Sequence, residues 1–321
     1  MRAAGRQSDG WGAAALARTV LVCLALVAWL AASGCAWRRF ALNQVAAAAA
    51  QTGTSYASDD DPELIRAAAP FGLKLLESLL AENPQHRGLL SAAASGFTQY
   101  AFAFVQQDAD ELEGRDLAGA EALRARARRL YLRAQGYGLR GLEAKHPGFG
   151  AALRVSPKTA VQAATRDDVP LLYWTASAWA EAITLAKDNP ELVAQVPAME
   201  ALIDRALTLD ESYGRGAIHT FLIAYEMSRQ GAPGAPAVRA RAHFDRALAL
   251  SAGQEAAPFV ALAEAVTVQK QDRREFESLL TRALAINPDA CPETRLVNLI
   301  MQRRARWLLA RQGELFLDEQ H

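Results

Sequence analysis

Three copies of one short segment constrain this chain more than any other feature: "RALTLD" at 205–210, "RALALS" at 246–251 and "RALAIN" at 282–287. Their starts lie 41 and 36 residues apart, and the Gly/Pro insert "GAPGAP" at 231–236 accounts for most of the longer step. A unit that recurs at this interval is a helical hairpin that cannot bury its apolar face alone. It must stack on a neighbour to make a core. The small Ala at the centre of each copy lets two helices approach closely. Weaker forms of the same helix end occur in "LLAENP" and "GLEAKHP".

The period is near that of tetratricopeptide repeats, about 34 residues. The rest of the chain agrees with an all-α fold built from such hairpins. Hydrophobic residues make up 51%, Ala is abundant, and alternating runs of the kind that form half-buried strands are almost absent. Asp61-Pro62-Glu63 reads as a helix start, with Pro at the first helical position and acid near the positive end of the helix dipole. Pro70 then either kinks that helix or starts it afresh. In the next helix Phe97, Tyr100, Ala101, Phe104 and Val105 fall at helical spacing and predict one continuous apolar face. The stretch 148–170 is less regular and reads as a long connection or a lid.

The N-terminus speaks to compartment. Arg2, Arg6 and Arg18 precede an apolar run from Thr19 to Ala32. As a helix its 14 residues rise roughly 21 Å, short of a bilayer core of about 30 Å. A basic leader, a short apolar run and then small residues make a secretory signal. Ala32-Ser33-Gly34-Cys35 resembles the bacterial lipobox, in which the Cys is lipidated and becomes the mature N-terminus; the alternative is an ordinary signal cut that leaves Cys35 free. Lipidation of Cys35 is preferred, because a free thiol is an odd thing to leave in an oxidising compartment. The domains expected are then a signal at 1–34, a lipidated N-terminus and linker at 35–57, and a tetratricopeptide-like helical domain at 58–321. Ala36 stands where an Asp would favour inner-membrane retention, which tilts localisation to the outer membrane, facing the periplasm. Cys23 leaves with the signal, so Cys291 is the one thiol remaining and no intrachain disulfide can form.

Removal of the signal takes three Arg and one Asp from a balance of 35 against 35, leaving about −2. No basic patch argues for nucleic acid. The match of "GYGLRG" at 136–141 to a dinucleotide-binding fingerprint follows a helical pattern rather than a strand, so it reads as a helix packing point. The His residues lack metal-ligand spacing, and no nucleophile elbow occurs. Asp59-Asp60-Asp61 and Asp167-Asp168 read first as helix caps. Neither an enzyme nor a cofactor or metal protein is expected. What remains is a surface. Three helices carry side-chain pairs at i, i+7, hence on one face: Gln99 with Gln106, Trp174 with Glu181, and His219 with Glu226. Such a lining suits a small organic ligand, although solvated or satisfied contacts between helices are the preferred reading of these residues. Tyr100, Phe104, Tyr173, Trp179 and Tyr225 are assigned to the core.

Beyond these residue-level readings, the order of "SYASDDDPELIRAAAPFGLKLLESLLAENP", "LLSAAASGFTQYAFAFVQQDAD", "RRLYLRAQGYGLRGLE", "DDVPLLYWTASAWAEAI" and "YGRGAIHTFLIAYE" resembles the T component of TRAP transporters, the TatT family. The resemblance runs from about Tyr56 to Arg311 and implies a periplasmic lipoprotein with helical hairpins around a central pore or cavity. It further implies association with the solute-binding P component, delivery of small organic or hydrophobic ligands, and a homotrimer as one assembly. The competing reading is a lipid-anchored scaffold for assembling cell-envelope complexes.

Overall fold

The computed structural model describes residues 55–317, and every regular element among them is helical. The leader, the lipobox with Cys35, and the linker up to residue 54 lie outside the described residues.

Helix α1 (Pro62–Glu82) begins where Asp61 accepts hydrogen bonds from the backbone of Glu63 and Leu64, both at 3.0 Å. It runs on through Pro70 as one helix. His86 caps α2 (Arg87–Ala101), its Nδ1 accepting from Leu89 N at 3.1 Å. A π-helical turn, Phe102–Gln106, then carries the chain into α3 (Gln107–Leu112). Asp116 caps the long α4 (Leu117–Glu143).

The stretch after α4 is a string of short pieces, α5 (Phe149–Val155), α6 (Pro157–Ala160) and two 3-10 turns, leading into α7 (Val169–Thr184). Asp168 is more than a cap. It closes a capping box with Thr165, is fully buried, and binds Arg87, Lys145 and His146. Burial alone would raise its carboxyl, but the hydrogen bonds from Thr165, His146 and Lys145 outweigh that and hold it well below the usual range.

The three sequence copies sit at the ends of α9 (Val196–Leu209), α11 (Pro236–Ser251) and α14 (Arg273–Ala285). Their central residues Ala206, Ala247 and Ala283 are fully buried, as the close-approach argument requires. Before, between and after them lie α8 (Pro190–Val193), α10 (Ala217–Tyr225), α12 (Ala257–Leu262) with its π-helical continuation Ala263–Thr267, α13 (Val268–Lys270), α15 (Arg295–Ala310) and α16 (Gln312–Leu315). Each helix packs chiefly on its neighbours in the chain, the arrangement expected of stacked helical hairpins.

"GYGLRG" lies inside α4, and two of its three glycines, Gly138 and Gly141, are packing points, while Gly136 faces open space. A Cβ on Gly141 would sit 2.6 Å from Leu171 Cδ2, and one on Gly138 would collide with Thr175 Oγ1, so α4 and α7 meet across bare backbone. Two large cores result. One gathers Leu142, Leu172, Trp179, Met199 and Leu202; the other gathers Phe244, Phe259, Val266, Phe276 and Leu280. Each fully buried Leu or Phe among them contributes about 1.5–3 kcal/mol.

A third, small cluster joins Ile65, Ala69, Ala103 and Phe104 to Ile300. It brings the first helix against the last long one. Ion pairs reinforce that closure: Arg303 with Asp108 (2.9 Å) and Glu111 (2.7 Å), and Arg304 with Asp110 (3.0 Å) and Glu264.

Candidate functional site

The closure leaves a hollow of about 270 Å³ between α1, α2 and α15. Its walls are Ile65, Leu73 and Leu76 from α1, Phe104 from the π turn, and Ile300 and Met301 from α15. Small residues keep it open. Ala69, Gly72, Ala92 and Gly96 line it, and a Cβ on Gly96 would lie 2.8 Å from Leu73 Cδ2. The π turn shapes one wall, since its extra residue lets Phe102 line the hollow while packing against the C-terminal core. Polar groups are few: Ser95, Gln99, Glu293 and the hydroxyls of Tyr56 and Tyr100. Tyr100 and Phe104, assigned to the core by their spacing, line this hollow, with their ring centroids 5.7 Å apart. Their stripe is interrupted by the π turn, which a pattern of apolar residues does not reveal.

That turn also separates Gln99 from Gln106. The expectation of one shared face assumed α-helical geometry throughout, and the wider turn between them shifts the register. Gln99 is exposed and lines the hollow, donating from Nε2 to Ser95 O at 3.3 Å. Gln106 instead faces α4 and α7. It donates from Nε2 to Glu181 Oε2 at 3.2 Å and accepts from the Tyr131 hydroxyl at 2.6 Å. Glu181 keeps part of its surface open, yet burial dominates and raises its carboxyl. Gln106 and Arg304 oppose the rise, while Glu264 and Asp110 add to it.

Trp174 and Glu181 lie on the regular α7 and keep their common face. Trp174 packs edge-on to Tyr173 at 4.9 Å between ring centroids, and Tyr173 in turn packs on Tyr213 at 5.4 Å. Beyond them Glu255 is buried, which pushes its carboxyl up to about 7 against the pull of Arg215.

His219 and Glu226 are both buried and both engaged by protein. His219 Nδ1 meets His243 Nδ1 at 2.8 Å, and its Nε2 meets Glu211 at 3.3 Å. Glu226 binds Arg229 (3.1 Å) and Arg239 (2.5 Å). Burial lowers both imidazoles, and each is further lowered by a positive or imidazole neighbour. These contacts tie α10 to α11. Sequence reasoning missed His243, because a partner 24 residues away on another helix leaves no local signal.

Among the described residues no group of three or more His, Cys, Asp or Glu is placed to hold a metal ion, and no helix is long and apolar enough to cross a membrane. The model of the TRAP transporter T-component family matches residues 58–316. This chain belongs to that family. It is a transporter-accessory family rather than an enzyme family, and it ties the T component to the cell envelope. A protein of Treponema pallidum (strain Nichols), itself uncharacterized, is 29% identical over 314 residues, covering 92% of this T component and 97% of the treponemal chain.

Proposed function

We propose that this T component is a lipid-anchored, periplasm-facing accessory of a TRAP transporter that binds the solute-binding P component and helps to deliver small organic or hydrophobic ligands. The family match over residues 58–316 carries this reading, and the apolar hollow beside Gln99 supports the ligand part of it. Cys35 anchors the chain to the outer membrane, and the hairpins wind into a superhelix around a central cavity or pore. A homotrimer is the assembly proposed for it. Gln106, Trp174 and Glu181 line the interior face, with Gln99 at the hollow. His219 and Glu226 hold that face in place through α11.

Two experiments test the proposal. Deleting the gene should abolish or slow uptake by the cognate transporter, and the intact gene should restore it; unchanged uptake would refute the accessory role. Cys35→Ser should release the protein from membranes, and its continued sedimentation with them would refute the anchor.

A further inference from the structure

We propose that the hollow between α1, α2 and α15 binds one uncharged aliphatic chain, the chain buried and an alcohol-type head at the mouth, and that it discriminates against carboxylates. This rests on the ligand-handling reading above and names the ligand class.

Size sets the first limit. About 270 Å³ lies just below the range of about 300–1,000 Å³ usual for drug-sized ligands, and a water's share of the liquid is about 30 Å³. The space therefore suits a single medium-length chain and not a two-chain lipid. The walls set the second limit. Leu73, Leu76, Phe104, Ile300 and Met301 surround it with hydrocarbon and aromatic surface, which offers no hydrogen bonds to a polar ligand. An apolar space of this kind favours apolar guests over water.

Charge sets the third. The one formally charged lining residue is Glu293, and it is exposed near the mouth. Neighbouring cations are held elsewhere. Arg66 binds Asp108 and Glu63, with its guanidinium over the Phe104 ring. Arg295 binds Asp289 and Ser58 O, and Arg126 lies over the Tyr100 ring and donates to its hydroxyl at 3.5 Å without itself lining the hollow. A carboxylate head would meet Glu293 with no lining cation to compensate. A hydroxyl can use Gln99 or Ser95, which are neutral.

Calorimetric titration of detergent-free protein with 1-decanol and with decanoate at pH 8 tests this. Decanol should bind one per chain with a negative heat-capacity change, and decanoate at least tenfold more weakly. Glu293→Gln should narrow that gap. Val297→Trp, at an exposed lining position, should weaken decanol at least tenfold with helicity unchanged. Equal binding of the two probes, no decanol binding, or an unaffected Val297→Trp variant would each overturn the proposal. Capture of the solute-binding protein by the same preparations reads the transport role separately: capture without decanol binding defeats only the ligand class, and decanol binding without capture defeats only the partnership.

Discussion

Arg304 and Asp110 lie 194 residues apart in the chain and 3.0 Å apart in the fold. The same guanidinium grips Glu264, which sits in the second π-helical turn. One side chain thus joins α15, α3 and the α12 continuation. With 8% exposure, Arg304 is dehydrated enough that its partners cannot be replaced cheaply by water. Arg304→Ala should cost about 2 kcal/mol, since it removes the charge-assisted hydrogen bonds to Glu264, which is partly open, and to Asp110, which keeps Arg124. Arg303→Ala, at a more open pair, should cost about 1 kcal/mol or less. Urea unfolding of both variants checks the contrast; equal losses would mean that the closure does not depend on burial.

Asp168 should be the most acid-sensitive carboxylate. Its folded value lies below its unfolded one, so its contribution is present above about pH 4 and is lost as pH falls through the folded value. Asp168→Asn should destabilise by about 3 kcal/mol at pH 7, because Arg87 and Lys145 lose their shared anion. Unfolding midpoints between pH 7 and pH 3 check this: the wild type should fall towards the variant at the acid end.

The His219–His243 contact carries a second pH signature. Both folded values are lowered, so the stability they permit is full above the ordinary His value of about 6.5 and is lost as pH falls below it. Glu211 and Arg246 face His219; Glu226, Arg229 and Arg239 face His243. The double variant His219→Gln, His243→Gln should flatten the loss between pH 7 and pH 5. A thermal-melt series that keeps the same slope would contradict it.

The glycines of α4 separate two degrees of crowding. Gly138→Ala drives a methyl into Thr175, a fully buried residue whose hydroxyl bonds Leu171 O, and should cost about 2–3 kcal/mol. Gly141→Ala meets side-chain carbons of Leu171 and no backbone atom, and should cost less, about 1 kcal/mol. Chemical denaturation of the pair tests the ranking.

The legible parts of this fold were the local ones. Asp61 and Pro62 mark a helix start, the one by its capping side chain and the other by its fixed backbone, and Ala206, Ala247 and Ala283 repeat as fully buried residues near the ends of their helices. The illegible parts depended on geometry or distance. The π turn at Phe102–Gln106 has an α-helical apolar pattern, so nothing in it shows that Gln99 and Gln106 face different neighbours, or that Phe104, a core residue, and Tyr100, packed against that core, also line a hollow. The hollow itself needs Ile65 beside Ile300, a meeting of chain ends that no window of sequence contains.

The measurement that tests the central claim most directly is mild crosslinking in intact cells, followed by purification of the protein and mass spectrometry of what is joined to it. A TRAP solute-binding protein should be crosslinked, reproducibly and above a control with an unrelated envelope lipoprotein. Recovery of secretion or assembly proteins in its place would contradict the account and leave a helical docking scaffold.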